Sequence, residues 1–358
     1  MKRRLLFCLP FVLMVFIFIT VSSFSTSYFR FYKEIKVGKR PKFIVTNNTF
    51  AFVLNVSSAT IDRITLKDFH KKTVLSLSSP VYMELDENML LIADSSLNKI
   101  IVYNVSEGKI ENKISTLPSP VYVTRVRDHV AVLSRSGLYF EWFSIKGKLL
   151  FRTALPVPAV MMDYKDNDVY IPLFGNFNAS IKNSVSPYGL SIIDLGRGKR
   201  CDYILGKKPL AIVFSGEYAY VNNYSDGTLC KFDLERRNVV KKVELGKYPF
   251  EPVIGNGLIF VPVLSKDAVA VLDFNLNLKK WLHVSIGPIK VLLSQDGRFV
   301  YILSCIEPAL TIYDAITFKK LSEIKLKGYP IDMVVTPDEG YILIVDNDGD
   351  DIQVVRKF

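Results

Sequence analysis

Histidine is scarce in this chain of 358 residues: His70, His129 and His283 are the only three. Haem ligation, histidine-held metals and a histidine-dependent lyase mechanism therefore have almost nothing to work with. Cysteine is equally thin, with Cys8, Cys201, Cys230 and Cys305. Cys8 sits inside an apolar run, and the other three, an odd number far apart, make neither a disulfide framework nor a paired-cysteine metal site. A bridge from Cys201 to Cys230 is the one pairing that the spacing leaves open, against isolated thiols packed as small hydrophobes. The patterns of a nucleophile elbow, a zinc-protease helix, a P-loop and a dinucleotide glycine loop are all missing. What the chain does have is 49% apolar residues, with twenty-four Phe and eighteen Tyr. That is enough to bury a sizeable core, and the aromatic content leans toward β structure.

The ends differ in character. Lys2, Arg3 and Arg4 precede an apolar run from Leu5 to Val21, and small polar residues follow. This is the pattern of an export signal, and seventeen residues are also the lower edge of what spans a bilayer. We therefore expect residues 1–25 to be a signal peptide or an N-terminal membrane anchor, 26–30 a linker, and 31–358 an extracytoplasmic domain, whether secreted, periplasmic or anchored. The net charge is +11; without the first twenty-five residues, 43 basic against 35 acidic residues leave +8. Those cations are spread along the chain rather than clustered. Outer-edge Lys protects exposed strands from adding another strand, while attraction to anionic lipid or acidic glycans is the functional alternative. Nucleic acid is not expected, since basic and aromatic residues do not interleave. Five Asn-x-Ser/Thr sequons begin at Asn47, Asn55, Asn104, Asn178 and Asn223, glycan acceptors only in a host that glycosylates.

Self-similarity is the strongest signal. A proline opens a segment at positions 41, 80, 120, 158, 209, 249, 288 and 330, at spacings of 39, 40, 38, 51, 40, 39 and 42. Each unit holds short apolar runs separated by polar turns, as in PVYMEL, MLLIAD and KIIVYNV of unit two, with a fourth run such as KKVELG closing unit five. Four short strands per forty residues, with no helical period, make a blade of an all-β propeller. Eight starts give eight blades; seven is the alternative if units three and four are misread. The last unit has only three strands, and the orphan run YKEIKVGKRP before Pro41 looks like the fourth-strand stretch VKKVELGKYP. The N-terminal strand should therefore complete the last blade, with Glu34 to Val37 beside Ile352 to Val355, and seal the ring.

The order proline, apolar strand, YVNN-like strand end and VxVLD or TIYD strand resembles the YVTN-type β-propeller repeat. AYVNNYSDGTLCKFDL at 219–234, LLIADSSLNKIIVYNV at 90–105 and FVYILSCIEPALTIYDA at 299–315 carry the resemblance. It implies the propeller and little chemistry, since such relatives include surface-layer proteins, lactonases, lyases and quinoprotein-like dehydrogenases.

Residues just after the second strand should ring the channel mouth: Asn55, Asp94, Asn222 and Asn223, with Asp346 and Asp348. Their local alternative is hydrogen bonding to nearby backbone. The long spacing falls in GNFNASIKNSVSPYGL, residues 175–190, between strands two and three of unit four. Its Asn176, Lys182 and Tyr188 suit a polar ligand, because long loops on rigid scaffolds are where function is placed. In DNDGDD, Asp346, Asp348 and Asp350 offer hard oxygens to Ca²⁺, against an Asp-Gly hairpin turn. No other cofactor is expected. The favoured reading is a non-catalytic binding module for a protein or glycan at the cell surface or in the periplasm, with the membrane a further partner through an uncleaved N-terminal segment. A hydrolase or lactonase using acidic residues at the mouth is the alternative, and two carboxylates converging in one cavity would favour it.

Overall fold

The computed structural model describes residues 28–175 and 189–358. They form eight four-stranded antiparallel sheets, seven of them following the chain from first to fourth strand. Blade 1 comprises Pro41–Thr46, Phe50–Asn55, Thr60–Thr65 and Lys71–Ser76. Blades 2 to 7 span 80–115, 122–154, 163–203, 209–244, 253–283 and 288–325, and blade 8 spans 330–357. The architecture is an eight-bladed β-propeller, so the seven-blade alternative is set aside.

Burial along a blade follows position in the ring. Second and third strands are buried on both sides, as in Phe50–Asn55, because each blade is sandwiched between two others. Fourth strands are half exposed, as in Lys71–Ser76 and Asn238–Glu244. First strands of neighbouring blades meet around the axis. The core is a series of apolar layers between blades: Phe52, Leu54 and Ile61 of blade 1 pack on Met83, Leu90 and Ile92 of blade 2. Each layer removes several large side chains from water, at about 2 kcal/mol apiece.

The fourth strand of blade 8 is Phe29–Lys36, the N-terminal strand. It pairs antiparallel with Asp351–Lys357, with Glu34 opposite Gln353 and Ile35 opposite Ile352. The Val37 amide extends the ladder to the Asp350 carbonyl at 3.0 Å. Phe29, 1% exposed, meets Phe299 of blade 7 edge-on at 5.3 Å. Head and tail of the ring are thus held in one sheet.

The repeat prolines open the innermost strands of blades 1, 2, 5, 7 and 8, and in all five a β-bulge follows at once. A first-strand proline costs no ladder bond where its missing N–H faces the channel. In blades 4 and 6 the inner strand is only three residues, Asp163–Lys165 and Val253–Gly255. In blade 6 a second proline, Pro252, stands directly before that strand. Turns joining strands two and three, and the loops between blades, share one side of the ring, here the upper face. The remaining turns form the lower face.

Candidate functional site

The strand-end residues picked out by sequence lie inside the blades. Asn55, Asp94, Asn222 and Asn223 are each 0% exposed, and Asp346 is 1% exposed. Asn55 Nδ2 donates to Asp62 Oδ2 at 3.0 Å, and the same oxygen accepts the Gly38 amide at 2.9 Å. Blade 8 repeats this: Gln353 Nε2 donates to Asp346 Oδ2 at 3.1 Å, while Gln353 Oε1 accepts the Lys327 amide at 3.0 Å. Blade 3 does so with Ser134 and Glu141 at 2.5 Å and the Leu117 amide at 2.8 Å. In blade 5 Asn223 meets Cys230 Sγ at 3.2 Å. The two partners are always seven residues apart, and in blades 1, 3 and 8 the amide comes from the loop arriving from the previous blade. These groups form a latch that ties that loop to the sheet.

The remaining members work in the same manner. Asp94 accepts the amides of Ser78, Ser79 and Leu97 at 2.8, 3.2 and 3.0 Å. Asn222 accepts the Ala211 amide at 2.8 Å and donates to the Pro249 and Phe250 carbonyls at 2.6 and 3.0 Å, joining blade 5 to blade 6. Asp346 accepts from Tyr329 N at 2.8 Å and Gly349 N at 3.1 Å. The space over these side chains is filled: a Cβ on Gly328, whose φ is +61°, would lie 2.1 Å from Asp346 Oδ1, and one on Gly206 2.6 Å from Asn223. A buried carboxylate that accepts several amides is a fixture of the loop, worth about 1.5–3 kcal/mol per bond to a charged group.

The acidic run of blade 8 is a turn. Asp346 is occupied as above, Asp350 Oδ1 accepts the Arg40 amide at 2.7 Å, and Asp348 is exposed. Among the described residues no group of three or more His, Cys, Asp or Glu is placed to hold a metal ion. Asn176, Lys182 and Tyr188 lie outside the described residues. Their segment joins the second and third strands of blade 4, Asp168–Pro172 and Leu190–Asp194, in sequence. Cys201, Cys230 and Cys305 are free thiols, so the Cys201 to Cys230 bridge is not formed. His129 stacks on Trp142 at 4.7 Å, while His70 and His283 are exposed near outer strands. Of the sequons, Asn55 and Asn223 are fully buried, which leaves no room for a glycan on the folded chain.

A second set, not picked out in the sequence, converges on the axis. Two residues beyond the repeat proline stand Phe43, Tyr82, Tyr122, Ala211, Glu251, Lys290 and Asp332. Blades 1 to 3 contribute an aromatic sector: Phe43 meets Tyr82 edge-on at 5.2 Å, and Tyr82 stacks on Tyr122 at 4.3 Å. Blades 6 to 8 contribute a charged one. Lys290 Nζ donates to Asp332 Oδ1, and Asp332 Oδ2 accepts the Ile44 amide at 3.0 Å, pinning blade 8 to blade 1. Burial disfavours the Lys290 charge, but Asp332 and Glu251 together more than offset it and the ammonium is held above its ordinary range.

The channel carboxylates are raised as well, which for them favours the neutral form. Glu84 Oε1 accepts from Thr124 Oγ1 at 2.9 Å and the Arg125 amide at 3.2 Å. Even so, burial pushes its carboxyl up to about 7, with Asp86 and Asp163 adding to the rise. Burial also raises Glu251, against the pull of Lys290, and raises Asp163. Glu251 remains accessible to solvent, and its charge bears on both Tyr82 and Tyr122. The signal that would have found this set is the fixed offset from the proline.

No family model matches this chain, and no curated protein matches it in sequence. Solved structures do. The propeller of Dos1 superposes with a TM-score of 0.72 at 12% identity, covering 92% of this chain and 96% of that one. BamB from Moraxella catarrhalis gives 0.68 at 13% identity, covering 92% and 99%. The computationally designed Ika8 protein gives 0.72 at 10% identity, covering 90% and 97%. At such identities the likeness concerns the fold alone.

Proposed function

We propose that the chain is an exported β-propeller of the YVTN type that acts as a non-catalytic binding module, contacting a protein or glycan partner through its upper face and channel mouth. The observation that supports this reading is the commitment of the polar strand ends. Asp94, Asn222 and Asp346 are committed to backbone amides and carbonyls, and Asn55 and Asn223 donate to side chains of the next strand of their own blade, which makes the ring a rigid frame for the loops it carries. Asn176, Lys182 and Tyr188 are proposed as ligand contacts on the largest of those loops. The test is capture of partners by the full chain and by a variant with Lys182→Glu and Tyr188→Ala. Loss of the captured partner in the variant supports the reading. Unchanged capture, or partners that survive denaturation of the propeller, contradicts it.

A second reading is favoured by one observation. Glu84, with its carboxyl near 7, lies beside the Tyr82 and Tyr122 stack and is poised to exchange a proton at neutral pH. Turnover of a lactone panel that disappears with Glu84→Gln would establish a hydrolase. Absence of turnover would leave the binding module.

A further inference from the structure

We infer that the lower corner of blade 8, where the chain joins the ring, is a surface for a bilayer with anionic headgroups. The inference rests on the reading of residues 1–25 as an export segment or anchor, and its test separates the two. The N-terminal strand runs upward, with Phe29 opposite Lys357 at the lower face and Lys36 opposite Asp351 at the upper. At the lower end Tyr28, Phe31, Tyr32 and Phe358 are 59, 42, 47 and 63% exposed. The Phe358 amide donates to the Tyr28 carbonyl at 2.8 Å, so both chain ends present their rings together.

Cations accompany these rings. The Arg356 guanidinium lies 4.9 Å from the Phe358 ring centre and 5.9 Å from that of Tyr32, and the Arg30 guanidinium lies 5.6 Å from Phe358. Both arginines are exposed, and neither has a carboxylate within ion-pair distance among the described residues. The neighbouring acids are already committed. Asp296 bonds Ser294 Oγ at 2.6 Å, Asp338 bonds Thr336 Oγ1 at 2.6 Å, and Glu339 pairs with Lys357 at 3.1 Å. Exposed aromatic rings with unpaired arginines match the headgroup region, where rings seat at the apolar boundary and guanidinium groups meet phosphate.

Chain length places this corner near a bilayer. The apolar run ends at Val21, and seven residues separate it from Phe29. Even fully extended, they reach about 25 Å. A run that stays in the membrane therefore holds the lower corner of blade 8 within that distance of the headgroups, while the upper face points away.

The test uses the full chain in nanodiscs of phosphatidylcholine, with or without phosphatidylglycerol, on a background of Cys8→Ser and Cys201→Ser. A polarity-sensitive dye is placed by Gln295→Cys on the lower face or by Ile204→Cys on the upper. We expect a quencher carried on the lipid to dim the lower dye by about twofold more than the upper, the more so with the anionic lipid. Arg30→Glu with Arg356→Glu should remove the lipid dependence, and the paired Lys substitutions should keep it. Equal quenching at both positions, or no effect of charge reversal, overturns the inference. N-terminal sequencing reports separately on the anchor. If the apolar run has been removed, the same dyes on the released chain are read with vesicles: a response to anionic vesicles lost on charge reversal sustains the surface, and none overturns it.

Discussion

Two rings of side chains circle the propeller, and they use polarity in opposite ways. One lies at the ends of the second strands, where Asn55, Asp94, Asn223 and Asp346 are buried and bonded within the protein. The other lies around the axis, where Glu251, two residues past its repeat proline, faces solvent and Glu84, four past its own, keeps a carboxyl raised by burial. In a ring of sheets, a polar residue at a strand end is surrounded by the amides of incoming loops and by the next strand, and most of its capacity is used there, the buried Oδ1 atoms of Asn55 and Asn223 excepted. A polar residue on the innermost strand faces no further strand, so part of its capacity is left over. Recognition chemistry is to be sought at the second position.

The largest expected effect concerns what holds both rings. Deleting residues 29–36 uncovers the last blade, empties the Phe29 contact with Phe299 and should cost about 5 kcal/mol or more, visible as loss of a single cooperative denaturant transition. A truncated chain that unfolds with the full chain's midpoint and slope would break the closure. Next, Asp346→Ala strands the Tyr329 and Gly349 amides together with Gln353, and should lower stability by about 3 kcal/mol. Glu251→Gln on the open channel should change stability by less than about 0.5 kcal/mol. Equal losses for those two substitutions would abolish the contrast between the rings.

A subtler effect depends on pH. Because the Glu84 carboxyl is raised in the folded chain, the folded state binds more protons than the unfolded one between the ordinary carboxylate range and about 7. Its contribution is present below that window and is lost as pH rises through about 7. Glu84 is partly accessible, so the loss should be on the order of 1–2 kcal/mol, measured as the wild-type difference in urea midpoint between pH 5 and pH 8. Glu84→Gln should flatten it. The smallest effect is that of Ca²⁺: with Asp346 and Asp350 engaged by backbone amides, adding it or chelating it should leave the melting temperature unchanged.

The ring was legible because its cause is periodic. Prolines at nearly constant spacing mark where an inner strand starts, and blades 2, 5 and 7 follow the pattern closely. Blades 4 and 6 were harder, because their inner strands, Asp163–Lys165 and Val253–Gly255, are short and do not start at the repeat proline. Burial of the strand ends was not legible from one strand alone. Asn55 next to a turn reads as exposed until Asp62, seven residues on, is placed beside it with the Gly38 amide. The channel set went unseen for the converse reason: Glu251 and Lys290 look like ordinary surface charges unless the repeats are aligned on their prolines.

Hydrogen exchange along the N-terminal strand tests the closed ring most directly. Those amides of Phe29–Lys36 that face Asp351–Lys357, together with Val37, should exchange as slowly as the amides of Asp351–Lys357 themselves. Exchange of that strand at the rate of free peptide, beside a protected Asp351–Lys357, would contradict the account.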